Sequence, residues 1–93
     1  MDFEWNDAKA EANERKHDVT FSEAMTVFGD PVSVTGYDPT HADDEDRFLT
    51  MGTSLAGRLL VVSHTDRGDS IRVIGARVAT RRERKDDEDG GFP

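Results

Sequence analysis

The chain reads as one α+β domain, two N-terminal helices packed on a mostly antiparallel sheet, and three observations predict it. Arg58 to Arg77 forms two strand-like runs around a turn; two helix-type segments fill the first third of the chain; and the later apolar runs are joined by short connections. In the central stretch, Leu59, Leu60, Val61 and Val62 make one short apolar run enriched in β-branched residues, and Ile71, Val73 and Ile74 mark another between Ser70 and Ala76. Asp66-Arg67-Gly68-Asp69 lies between them, with Gly68 free to take a positive φ. A hairpin follows from that arrangement.

The remaining elements fall in order. Phe3 and Trp5 alternate with Asp2 and Glu4, which predicts a brief first strand ended by Asn6, a good helix N-cap. From Asp7 the residues AKAEANERKH are strong helix formers, with Arg15, Lys16 and His17 in the last turn where cations favour the macrodipole. Ala8, Ala12 and Arg15 line a narrow face that should lie close to a neighbour. Thr20 and Glu23 form a capping box, and Phe21, Ala24, Met25 and Phe28 follow at i, i+3, i+4 and i+7, a stripe expected in the core. Gly29 and Asp30-Pro31 end that helix. Val32 and Val34 predict a strand fading at Gly36, THADDED is a polar loop, and Arg47 to Met51 resumes strand character until Gly52. Ala79 to Arg84 is compatible with a short C-terminal helix. The domain is therefore expected at 1–85, with the acidic stretch 86–93 a disordered tail.

Ninety-three residues leave no room for a second core. The absence of cysteine excludes a disulfide framework and any thiolate metal site. MDFEWNDAK lacks an apolar signal region, and no apolar run approaches the ~20 residues of a membrane span, so a cytoplasmic protein with no membrane partner is expected. The formal charge of −8 argues at first against a nucleic-acid partner. Its distribution argues the other way. Residues 1–46 hold 13 acidic and 3 basic side chains, whereas residues 47–85 hold 9 basic and 3 acidic. Local field governs where an anion docks, and Arg58, Arg67, Arg72 and Arg77 punctuate the central strands.

His41, Glu45 and Arg47 share one loop region, a set able to supply general acid, general base and a cation; the competing reading of His41 is a solvated surface residue. His17 and His64 complete the histidines, and no metal-ligand spacing connects the three. There is no Gly-rich phosphate loop, no nucleophile elbow and no cysteine nucleophile. No metal and no cofactor are expected. What remains for an enzyme of this size is metal-free phosphodiester cleavage, in which RNA contributes its own 2′-hydroxyl and the protein supplies positioning, proton transfer and cations.

Eight motifs in series carry a resemblance: F-E-W-N-D-x-K-A at 3–10, N-x-x-K-H at 13–17, V-T-F-S-E-A at 19–24, V-F-G-D-P at 27–31, Asp38 and His41 with Glu45 and Arg47, G-R at 57–58, T-D-R-G at 65–68 and I-R-V-I-G-A-R at 71–77. From Phe3 to about Arg84 the chain resembles BrnT toxins. The resemblance implies a RelE-like fold and an endoribonuclease toxin of a type II toxin-antitoxin module. It also implies a BrnA-type antitoxin as protein partner, with operator DNA reached only through that antitoxin. Carried over by position, it points to Arg67 and Arg77 as phosphate or transition-state cations, to Glu45 or His41 for proton transfer, and to Lys16, His17, Arg47 and Arg72 as substrate contacts. The chain departs from the family pattern at Gly75, where Ser is usual, and at Lys85, where Tyr is common. The alternative function is a catalytically weak co-repressor that mainly holds an antitoxin.

Overall fold

A computed structural model describes residues 1–41 and 45–90. The elements run β1 (Asp2–Glu4), α1 (Asp7–His17), α2 (Phe21–Thr26) continued by a 3-10 turn at Val27–Gly29, β2 (Val34–Asp38), a 3-10 turn at Pro39–His41, β3 (Arg47–Thr53), β4 (Leu59–Arg67), β5 (Ser70–Val78) and α3 (Arg81–Glu88). Five strands form one sheet in the order β1-β5-β4-β3-β2. The central hairpin is β4–β5, closed across Gly68 and Asp69 with Gly68 at φ 61°. No helix among the described residues is long and apolar enough to cross a membrane.

The α+β class holds, but the sheet is mixed rather than mostly antiparallel, because β1 pairs parallel to β5 through Asp2↔Ser70, Phe3↔Ile71 and Glu4↔Arg72. The physical reason lies in the connections. Short turns dictate antiparallel neighbours for β2 to β5, whereas β1 is separated from its partner by the whole chain between and is free of that rule. Strand β2 also begins later and runs further than its valines suggest: Val32 is 77% exposed outside it, and pairing persists through Tyr37↔Phe48 and Asp38↔Arg47.

Helix α1 starts where Asn6 Oδ1 accepts the Lys9 N–H and ends with Asp18 in the left-handed region at φ 57°. Its inward side is not the expected Ala8, Ala12 and Arg15, all exposed, but Ala10, Asn13 and His17. Asn13 explains the difference. Strand β1 covers β5 only as far as Arg72, leaving the backbone of Ala76 without a strand on that side. Asn13 takes the strand's place, donating to the Ala76 carbonyl at 2.9 Å and the Val19 carbonyl at 3.0 Å while accepting the Ala76 N–H at 3.1 Å.

Thr20 caps α2 by accepting the Glu23 N–H at 3.0 Å. Phe21 and Ala24 are buried as expected, but Met25 is 37% exposed. After Thr26 the helix tightens into the 3-10 turn, which aims Val27 inward in place of the fourth-residue position. Gly52 of β3 permits this turn to sit down on the sheet. A Cβ there would lie 2.9 Å from both Ser33 Cβ and Val27 Cγ1.

The main core joins Val19, Phe21, Ala24 and Val27 to Leu60, Val62, Val73 and Ala76, with Phe3, Trp5, Ala10 and Phe28 against it. A smaller cluster of Met51, Val61 and Ala79, flanked by Leu49 and Leu59, occupies the other side of the sheet. Helix α3 runs from Arg81 to Glu88, past Arg84 and into the stretch expected to fray. A capping box, Thr80 with Glu83, secures its start, whereas the box expected at Thr20 and Glu23 is only half made, because the Glu23 carboxylate turns to Ser54 and Arg58. Residues 91–93 lie outside the described residues, as do 42–44 of the expected polar loop.

Candidate active site

The register puts most of the expected arginines on one side of the sheet, the side away from the main core. Val73 and Ala76, three apart, both face that core because β5 carries an extra residue: Val73 pairs with His64, Gly75 with Ser63, and Ile74 falls between. Five residues apart, Arg72 and Arg77 would face opposite ways in a regular strand. The bulge resets the alternation and brings both to the side of Ser63 and Thr65.

On that side the guanidinium groups divide between two ends. At the hairpin tip, Arg67 donates from Nε and Nη2 to Glu45 at 2.9 and 2.6 Å and from Nη1 to Glu4 at 3.3 Å. Arg72 Nη1 lies 3.6 Å from the same Glu4 oxygen. The hydrogen bond from Arg67 holds the Glu45 carboxyl below its usual range. Arg47, one position beyond the Phe48↔His64 pair, starts β3 at this end, and the Thr65 hydroxyl is buried there without a hydrogen-bond partner.

At the far end stands Arg77. It pairs with Val61, six positions before Arg67 along β4, which sets the two arginines roughly 20 Å apart at ~3.3 Å per residue. Arg77 donates from Nη1 and Nη2 to the two oxygens of Glu83 at 2.6 and 2.8 Å, and these bonds draw the Glu83 carboxyl down to about 2. Arg77 also lines a cavity of about 190 Å³ with His17, Asn13, Ser63 and Gly75. That is space for roughly six water molecules at ~30 Å³ each. A Cβ at Gly75 would meet only Asn13 Oδ1, at 3.7 Å, an ordinary contact, so the position tolerates a small side chain.

This side of the sheet thus presents an imidazole and a guanidinium at one cavity and a second arginine group at the hairpin tip, cations able to hold an anion. The model of the ribonuclease toxin BrnT of type II toxin-antitoxin systems matches residues 5–83. The chain belongs to the BrnT family. No curated protein matches it. Among solved structures it is similar to the ribonuclease toxin BrnT of Brucella abortus, determined by crystallography at 1.1 Å, with 23% identity, a TM-score of 0.64, and coverage of 87% of this chain and 99% of that one. At that identity the likeness is one of fold.

In this BrnT-family chain the expected site residues are brought together as two sets. Glu45, Arg67 and Arg72 meet at the hairpin tip, with Arg47 near them; His17 and Arg77 meet at the cavity. Lys16 is exposed on α1 next to His17. The backbone of His41 closes the Pro39–His41 turn, and its side chain lies outside the described residues. Arg58 belongs to neither set: its Nε donates to Glu23 at 2.9 Å and its Nη2 to the Asp18 carbonyl at 2.9 Å, tying α2 to the start of β4. Glu83, Asn13, Ser63 and Glu4 are the neighbours that sequence reasoning missed. The T-x-x-E spacing of Thr80 and Glu83 was the one legible signal among them.

His64 is a core residue. It is 2% exposed, its Nδ1 lies 3.0 Å from Asp66 Oδ1 and its Nε2 2.8 Å from Thr50 Oγ1, and burial pushes its pKa down. Phe28 and Phe48 close over it, with ring centroids at 5.0 and 6.0 Å. Neutral imidazole satisfies both contacts if Nδ1–H donates to Asp66 and Nε2 accepts from Thr50. Among the described residues no three His, Cys, Asp or Glu side chains converge to hold a metal ion.

Proposed function

We propose that this chain is a metal-independent endoribonuclease toxin with a RelE-like arrangement, acting in the cytoplasm and neutralised by a BrnA-type antitoxin that alone contacts operator DNA. The observation that carries the reading is the shared cavity of His17 and Arg77 in a member of a ribonuclease toxin family. Attack of a 2′-hydroxyl on the adjacent phosphorus places extra negative charge on the phosphoryl oxygens, and a fixed guanidinium stabilises that charge more than the ground state. Arg77 takes this role. His17, at the same cavity, is the nearer proton-transfer group, because Glu45 is held by Arg67 at the other end; His41 and Glu45 remain candidates for an RNA that bridges both ends. Arg67, Arg72, Arg47 and Lys16 hold flanking phosphates as positioning cations.

The test is RNA cleavage by the isolated toxin. Arg77→Ala should lower it by about 10²–10³-fold, the cost of removing one transition-state donor. Arg67→Ala, Arg77→Ala together should abolish it while the fold, read by circular dichroism, is retained. Undiminished cleavage by a folded double variant removes both arginines from the site.

One observation favours the second reading, a catalytically weak co-repressor. Arg67 and Arg77 are each engaged by a carboxylate on both sides of the guanidinium fork. In that reading RNA cleavage is absent and operator binding by the antitoxin still tightens when the toxin is added.

A further inference from the structure

Another concavity lies elsewhere on the molecule. A groove of about 550 Å³ runs beside α2 and its 3-10 turn, and it shares no lining residue with the Arg77 cavity. Phe3 and Phe28, with centroids 5.3 Å apart, contribute its aromatic lining. Met1, Met25 and Leu55 also line it, and these side chains are 83%, 37% and 89% exposed. Apolar side chains so gathered mark an interaction surface, and methionine adapts its shape to what it receives.

We propose that this groove seats the toxin's protein antitoxin, through an apolar helix face flanked by basic side chains. The inference rests on the toxin reading above and names the surface the partner takes. Two arguments fix the occupant. The groove's Asp30 and Thr26 are bonded within the chain: Asp30 accepts from the Val32 N–H at 3.0 Å and the Thr53 N–H at 2.8 Å, and Thr26 Oγ1 donates to the Glu23 carbonyl at 2.7 Å and accepts the Leu55 N–H at 2.9 Å. What the groove offers is chiefly apolar, so the occupant brings apolar side chains, as a helix does with anchors at i, i+3 or i+4, and i+7.

The second argument is charge. The segment that builds β1, α1, α2 and the 3-10 turn holds 7 acidic and 3 basic side chains within residues 1–29. A second copy of this chain, itself at −8, and an anionic lipid surface both meet that segment with like charge. A cationic protein segment meets it with opposite charge, and such complementarity speeds association as well as selecting the partner. Docking here leaves the Arg77 cavity unoccupied by the anchoring helix, so the groove holds the antitoxin while the rest of that protein controls access to RNA.

The test uses purified full-length toxin and the cognate antitoxin expressed from the adjacent reading frame, with affinity read by calorimetry. Leu55→Asp and Met25→Asp, both at exposed positions, should each weaken binding at least tenfold, and both together should let the toxin cleave RNA in the presence of antitoxin. Cleavage by each variant without antitoxin, and its melting temperature, should match the parent chain. Unchanged antitoxin affinity in the folded double variant overturns the proposal. So does a dimer of the parent chain alone that Leu55→Asp dissociates, because the groove is then a self-association surface. The functional reading fails separately: a parent chain that binds antitoxin at the groove but never cleaves RNA sinks the toxin chemistry and leaves the docking surface standing.

Discussion

Glu83 holds Arg77 by both terminal nitrogens, at 2.6 and 2.8 Å, while its Oε1 also accepts the Thr80 N–H at 2.9 Å. One carboxylate thus caps α3 and occupies the guanidinium fork that a phosphate would take. Under the function proposed above, RNA displaces it. Replacing Glu83 with Gln keeps a capping group of the same size and removes the charge, so RNA affinity should rise by about tenfold, equivalent to about 1.4 kcal/mol. Fluorescence anisotropy with a labelled single strand measures this; equal affinities for parent and variant would show that Glu83 does not compete.

The same contact has an acid limit. The Glu83 pKa is about 2 in the folded chain against an ordinary value of 4.5, so its stabilising effect is complete above about pH 4.5 and is lost as pH falls towards about 2. Amide protection factors in α3, which correct for the intrinsic pH dependence of exchange, should fall over that window in the parent chain and stay level in Glu83→Gln.

His64 gives a second pH signature at milder acidity. Burial lowers its pKa from 6.5, so protonation favours the unfolded chain, and stability that is intact above about pH 6.5 should decline below it. A nitrogen-detected imidazole titration should find His64 mainly neutral, and protonated on Nδ1, at pH 6.5. A charged His64 in the folded protein at that pH refutes the assignment.

Asn13 substitutes for a strand at the side of β5, and its loss strands two backbone groups of Ala76. Asn13→Ala should cost about 1–3 kcal/mol in urea unfolding, the desolvation penalty of buried groups left unpaired. Asn13→Leu, similar in size but without the amide, should not recover the loss. If it does, packing rather than hydrogen bonding holds α1 in place.

Gly52 reports on how closely the 3-10 turn approaches the sheet. Adding one methyl puts it 2.9 Å from Ser33 Cβ and Val27 Cγ1, and Gly52→Ala should destabilise by about 1–3 kcal/mol through overpacking. Gly57→Ala, where nothing lies within 4 Å of the new Cβ, is strained by its φ of 83° instead, so shortening Val27 should rescue the first variant and not the second.

Local pattern made the hairpin, both N-caps and the buried Phe21 and Ala24 legible, because each rests on chemistry within a few residues. What the pattern could not carry was long-range. Nothing near Asp2 announces that its strand lies parallel to Ser70, and nothing near Ile74 announces the extra residue that turns Arg77 to the side of Arg72. Asn13 looked like an ordinary helix residue, and alanine spacing pointed to the wrong inward face of α1. The arginines were rightly read as strand residues, but their division between two ends follows from a register that only the folded sheet defines.

The parallel pairing of Phe3 with Ile71 has a bearing on synthesis at the ribosome. A nascent chain emerges N-terminus first, so the opening strand waits without its neighbour until nearly seventy further residues, from Glu4 through Ile71, have been made. The cation opposite Val61 emerges later still. The sheet, and the cavity that Arg77 lines, are therefore completed only near the end of synthesis, which leaves that interval for a protein partner to arrive.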